Sequence, residues 1–147
     1  MAQVVSTARR EIAVTQDALF GAVADYAGTR PRLLPGLTAY EVREGGRGAG
    51  TVVRWTLESN GKRVRDCLLD VSEPSKGELV EKDRGSSMVT TWRVTPGSGD
   101  GAALVSVRTT WQSAGGVNGL FERFFSSKGL ERIYGVMLAR LAAELER

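Results

Sequence analysis

The sequence predicts an α+β domain in which a curved antiparallel sheet of about seven strands wraps around a long C-terminal helix, in the order β-α-α-β6-α. Three observations predict it. From Leu37 to Trp111 apolar and polar residues alternate with period two between closely spaced turn signals. After Gly115-Gly116 the apolar residues recur at helical spacing instead. Ahead of both lies a segment that reads as one strand and two short helices. The chain has 147 residues, 41% hydrophobic and 25% charged, which fits a single domain over 1–147 able to build a core without disulfides or metals.

Residues 3–14 (QVVSTARREIAV) mix β-branched and polar residues as a strand does, and Thr15 is placed to cap a helix carrying Ala18, Leu19, Ala22 and Val23. Asp17 favours that helix's positive end. A second short helix fits before Pro35-Gly36, with Pro31 in its first turn. Six strands then fit between turn signals at 45–50, Asn60-Gly61, 74–77, Gly85-Ser86 and 96–101. Asn60-Gly61 marks a two-residue hairpin, because both central residues of a type I′ turn need positive φ. The charged 77–84 segment (GELVEKDR) reads as an edge strand, protected by its charge from pairing with other chains. Residues 117–146 form the last helix, about 45 Å long at 1.5 Å per residue, with a weak point at 126–129.

The composition excludes much chemistry. With no histidine and a single cysteine, Cys67, the chain cannot form a Ser-His-Asp triad, a Cys-His dyad or the usual zinc ligand sets, and neither metal nor cofactor is expected. Twenty basic and seventeen acidic residues give +3, and the arginines are interspersed with Asp and Glu instead of forming a stripe, so a solvated surface is expected and no nucleic-acid partner. No apolar run approaches the length of a membrane span, and Arg9, Arg10 and Glu11 come before any signal-like apolar core. A cytoplasmic protein with a reduced thiol is expected, as a monomer or weak homodimer without stable membrane insertion.

A sheet that curls around a helix without closing tightly leaves a gap lined by strand positions of one parity and by the apolar helix face. The side chains placed there are Tyr40, Trp55, Leu57, Cys67, Leu69, Met88, Thr90, Trp92, Val107 and Trp111 from the strands, with Phe121, Phe124, Phe125, Tyr134 and Met137 from the helix. Each also fits an ordinary core. Three tryptophans among them bring indole N–H donors that need partners when buried, and a ligand's polar group is one way to supply them. Arg65 shares the parity of Cys67, Leu69 and Val71, so it either points inward toward a polar ligand or snorkels to solvent from the strand end. Cys67 reads as a buried structural thiol, since only Arg65 stands near enough in sequence to activate it. The run Glu44 to Thr51 (EGGRGAGT) precedes a strand and lacks a following Gly-Lys-Ser/Thr, so it reads as a flexible hairpin loop and not a phosphate cradle.

The order of elements, Asp25-Tyr26 followed by Arg32-Leu33-Leu34-Pro35-Gly36, the glycine-rich 44–51 loop and the long C-terminal helix together resemble the START-like (SRPBCC) superfamily over nearly the whole chain. The resemblance is to its polyketide cyclase/dehydrase and lipid-transport branch, although no tryptophan precedes Leu33-Leu34-Pro35 as that branch's pattern has it. It implies a helix-grip fold, a loop at 44–51 near one end of a cavity where it could gate a ligand, and a small hydrophobic molecule (lipid, polyketide or isoprenoid) as partner for transport, sequestration or sensing. Two other classes stay open. One is a metal-free cyclase/aromatase or dehydratase with Tyr40, Arg65 and Tyr134 as proton-moving groups. The other is a protein-interaction domain of the chaperone-activator kind, which would show an exposed apolar patch. Binding is preferred to catalysis because the expected lining holds no apparent acid/base pair of carboxylate or histidine.

Overall fold

The computed structural model describes residues 3–59, 62–112 and 127–147, with the side chains of 59 and 62–65 outside the description. Seven strands form one antiparallel sheet: β1 (Gln3–Ile12), β2 (Leu37–Glu44), β3 (Val52–Ser59), β4 (Lys62–Ser75), β5 (Glu78–Asp83), β6 (Val89–Pro96) and β7 (Ala103–Gln112). Helices α1 (Gln16–Val23) and α2 (Thr29–Leu33) lie between β1 and β2, and α3 (Ser127–Leu145) follows β7. The spatial order is β1-β7-β6-β5-β4-β3-β2. The α+β helix-grip architecture is therefore the one expected.

Period-two patterning fixes which face of each strand is buried. On β7, Ala103, Val105, Val107 and Thr109 are buried while Arg108 is exposed; on β6 Thr90, Trp92 and Val94 point inward. Strand β1 pairs with β7 from Gln3↔Gln112 to Ile12↔Ala103, which brings the N-terminal strand beside the last one. Thr15 caps α1 as its sequence position suggests, its hydroxyl accepting from Ala18 N–H at 3.1 Å.

Helix α3 covers the inner face with Leu130, Tyr134, Met137, Leu138, Leu141 and Ala142. It is held at both ends. Ser6 Oγ donates to the Ser127 carbonyl at 3.0 Å, and Ser127 Oγ donates to the Val5 carbonyl at 2.7 Å. At the other end Glu146 accepts from Ala13 N–H at 3.0 Å and Glu144 accepts from Arg32 Nε at 2.9 Å. The expected helical residues 117–126 and the Asn60-Gly61 turn lie outside the described residues.

Two expectations are corrected. The 77–84 segment contributes β5, which is flanked by β4 and β6 in the sheet's interior. The edges are β1 and β2. Charge on β5 is tolerated there because both inward carboxylates are satisfied, Glu81 by Arg30 and Asp83 by Leu68 N–H and the Ser86 hydroxyl, and outward Glu78 pairs with Arg93 of β6. The glycine-rich loop does join the β2–β3 hairpin, but it is pinned instead of loose. The Gly46 carbonyl accepts from Tyr26 N–H at 3.0 Å and Ala27 N–H at 3.1 Å, and Gly48 N–H donates to the Ala24 carbonyl at 2.9 Å. Its path needs positive φ at Gly46 and Gly48, which is why glycines stand there.

Candidate functional site

Between the sheet and α3 lies a cavity of about 30 Å³, room for little more than one water molecule. Eight residues expected from strand parity and helix periodicity line it. They are Trp55 and Leu57 of β3, Leu69 of β4, Thr90 and Trp92 of β6, Met88 just before β6, and Tyr134 and Met137 of α3. Leu34, Leu130 and Ile133 complete its apolar wall.

The other expected residues lie elsewhere. Cys67 and Val107 are buried within the core, and Trp111 packs half-buried against it. Tyr40 is half-buried on β2, where its hydroxyl donates to the Tyr26 carbonyl. Burial, the first cause, and the Glu81 carboxylate both raise its pKa, with Arg30 opposing, which makes Tyr40 a poor proton donor at neutral pH. Phe121, Phe124 and Phe125 lie outside the described residues, as does the side chain of Arg65.

What sequence reasoning missed is the polar end of the cavity, and here the expected absence of a carboxylate is overturned. Arg30 of α2 and Glu81 of β5 both line the cavity and pair at 2.6 Å, with side chains only 7% and 5% exposed. Arg30 Nε donates to the Val23 carbonyl at 2.7 Å, closing off the end of α1. Arg30 Nη2 also donates to the Tyr26 hydroxyl at 3.2 Å, and that hydroxyl donates in turn to Glu81 Oε2. The guanidinium lies 4.2 Å from the Trp92 ring and 4.6 Å from the Tyr26 ring. Both contacts are in the range of cation–π attraction. Burial opposes the charge on Arg30, but Glu81 and the two tyrosines outweigh it and raise its pKa. Burial and the Glu81 carboxylate push the Tyr26 phenol well up. The cluster is therefore a fixed ion pair roofed by aromatic rings.

A second polar group lines the same cavity. The Tyr134 hydroxyl hydrogen-bonds with Thr109 and, at 3.4 Å, with Thr90, while Thr90 and Thr109 bond to each other at 2.7 Å. Burial raises the Tyr134 pKa to about 12 against these bonds, so the phenol stays protonated at neutral pH. Trp92 meets Tyr134 edge to face at 6.2 Å. Its indole Nε1 is buried, and among the described residues it has no hydrogen-bond partner. No group of metal-ligating side chains occurs among the described residues.

A curved antiparallel sheet gripping a C-terminal helix, with a part-polar cavity between them, is a helix-grip fold. The chain belongs to the polyketide cyclase / dehydrase and lipid transport family, whose pattern it matches over residues 2–146. It is similar to the KanY protein solved in solution by NMR, with 38% identity, a TM-score of 0.85 and 100% of each chain covered. A START superfamily protein from Mycobacterium smegmatis matches at 16% identity and a TM-score of 0.60, over 90% of this chain and 98% of that one. The di-domain ARO/CYC protein StfQ of the steffimycin biosynthetic pathway matches at 15% identity and a TM-score of 0.70, over 95% of this chain and 50% of StfQ. The last two likenesses show the fold alone. No match is found among the curated proteins.

Proposed function

We propose that this protein binds a small, mostly apolar molecule between the sheet and α3, and that the molecule carries a hydrogen-bond acceptor at the end facing Trp92. The observation that carries this reading is Trp92 in the wall of a largely apolar cavity, its buried Nε1 without a hydrogen-bond partner among the described residues. An indole N–H only donates, and leaving it unpaired in a protein interior costs about 1–3 kcal/mol, so a ligand carbonyl or ether oxygen would recover what the protein alone forfeits. The family's range, which covers lipid transport and polyketide cyclisation, supports the same class of ligand. A cavity of about 30 Å³ does not hold such a molecule as it stands. Binding therefore entails displacing flexible side chains such as Met88 and Met137.

The test is native mass spectrometry of the purified protein, followed by organic extraction and titration with fatty acids, sterols, quinones and aromatic polyketides. A stoichiometric ligand is expected. Trp92→Phe should weaken its binding by roughly three- to tenfold, the value of one hydrogen bond. Unchanged affinity in that variant would remove the acceptor from the proposal, and a protein that binds nothing in the panel would remove the ligand.

A second reading has one observation in its favour. Glu81 and Arg30 place a carboxylate and a guanidinium in the same cavity, which is a pair able to accept a proton and stabilise the resulting oxyanion in a cyclase-type reaction. Incubation with a polyketide that leaves short of one water molecule would support catalysis. Recovery of the molecule unchanged supports binding alone. The interaction-domain reading is less well served, because among the described residues Val5 is the one large hydrophobic side chain that is exposed.

A further inference from the structure

The outer face of the sheet, opposite α3, carries a cationic depression that the inner cavity does not explain. Over β3 and β4 cations on that face are paired, Arg54 with Asp66 at 2.9 Å and Arg84, just past β5, with Asp70 at 2.7 Å. Among the described residues Arg9 and Arg108 have no ion pair, and Arg93 shares Glu78.

The register shows how these three arginines are arranged. Ser106 of β7 is paired with Arg9 of β1 on one side and Arg93 of β6 on the other. Those two positions lie about 10 Å apart, two strand spacings, and Arg108 stands about 7 Å farther along β7 on the same face. Arg108 is flanked by Thr7 and Thr91. Small side chains between long ones leave an open depression of about 820 Å³, walled by the arginines. Arg9 and Arg108, without an ion pair among the described residues, stand over a hydroxyl floor, while Arg93 is held by Glu78, whose carboxylate also lines the depression. Two open guanidinium forks suit a compact oxyanion that accepts bidentate donors. The remaining volume has room for the body of a small molecule attached to it.

We infer that this outer depression, through Arg9 and Arg108 beside Ser106, is a second binding site, for the phosphate or diphosphate group of a phosphorylated small molecule. It is independent of the inner cavity.

Titration of the full chain with inorganic pyrophosphate at low ionic strength, followed by calorimetry and by amide chemical shifts, tests it. Saturable binding is expected, with shifts centred on Thr7, Thr91, Ser106 and Arg108. Arg9→Ala and Arg108→Ala should each weaken it by about tenfold, the loss of one charge-assisted contact, with unchanged thermal melts because both side chains are exposed. Arg54→Ala, a cation elsewhere on the same face, should leave it unaltered. Co-sedimentation with vesicles of phosphatidylcholine and phosphatidic acid that is lost in the same two variants would make a lipid headgroup the source of the phosphate. Absence of saturable pyrophosphate binding would overturn the proposal, as would an equal loss in Arg54→Ala. So would an acidic peptide that shifts these amides where pyrophosphate does not, because the face would then belong to a protein partner.

Discussion

Arg30 and Glu81 show what a buried ion pair demands of its surroundings. Each leaves water at a cost of several kcal/mol, and the pair is sustained because every element nearby contributes a compensating contact: the Val23 carbonyl from α1, the Tyr26 hydroxyl, and the faces of Trp92 and Tyr26. Removing one partner strands the other. Arg30→Met is expected to lower unfolding free energy by ~3–5 kcal/mol in urea melts, whereas Arg30→Met combined with Glu81→Leu should regain most of that loss. A double variant as unstable as the single one would show that the network itself, and not the stranded charge, holds α2 against the sheet. Neither residue was legible as a site residue, for a physical reason. Arg30 stands beside Pro31 in a five-residue helix, where arginine usually faces solvent, and Glu81 lies in a charged run that reads as an exposed edge. They are 51 positions apart, so only the fold brings them together. One signal was present: Glu81 shares its parity with Leu79 and Asp83, and an inward carboxylate requires a cation. The apolar lining was legible because parity alone placed Leu69, Thr90 and Trp92 on the inner face.

At the level of elements, the connection from α1 to α2 is organised by one side chain. Asp25 accepts from Gly28 N–H at 3.0 Å, from Thr29 N–H at 3.2 Å and from the Thr29 hydroxyl at 3.1 Å, with the Arg47 guanidinium of the glycine-rich loop 3.9 Å away. Partial burial raises the Asp25 pKa, but these donors outweigh it and hold the carboxyl below its ordinary 3.8. A carboxyl depressed in the folded state stabilises the protein fully above its unfolded pKa, and that stabilisation is lost as pH falls through the lower, folded value. Asp25→Asn is therefore expected to cost ~1–2 kcal/mol at pH 6 and progressively less as pH falls below the ordinary carboxyl value of 3.8, where both proteins come to carry a neutral group. Urea melts of the two proteins across that range read the difference directly. A cost that stays constant with pH would assign the effect to altered geometry instead of charge. The same bonds explain why the glycine-rich loop is pinned where its composition reads as mobile. Glycine frees φ, but the carbonyls and N–H groups it exposes are then taken up by the end of α1, a partner the sequence does not reveal.

For the molecule as a whole, the question is whether the seam between sheet and α3 is a filled core or a binding site that is closed when empty. Clasping α3 at both ends, through Ser6 and Ser127 at one and Ala13 and Glu146 at the other, leaves the middle of the helix to face the small cavity. Met137, 2% exposed on that middle stretch, is where the two possibilities part. In a filled core, Met137→Ala deletes contacts and leaves a void, at a cost of ~2–5 kcal/mol under every condition. If a ligand enters here, its atoms occupy the space the methionine vacates. The stabilisation it confers, about 2.7 kcal/mol at a free concentration a hundred times its dissociation constant, is then added to recovered contacts. The cost of Met137→Ala measured with saturating ligand, either the molecule extracted from the protein or the best binder of the panel, should accordingly fall well below the cost measured without it. Leu79→Ala, in the fully buried core on β5 and away from the cavity lining, supplies the comparison. Its cost should be the same with and without ligand. Equal costs for Met137→Ala in both conditions would make the seam an ordinary core and move the ligand elsewhere.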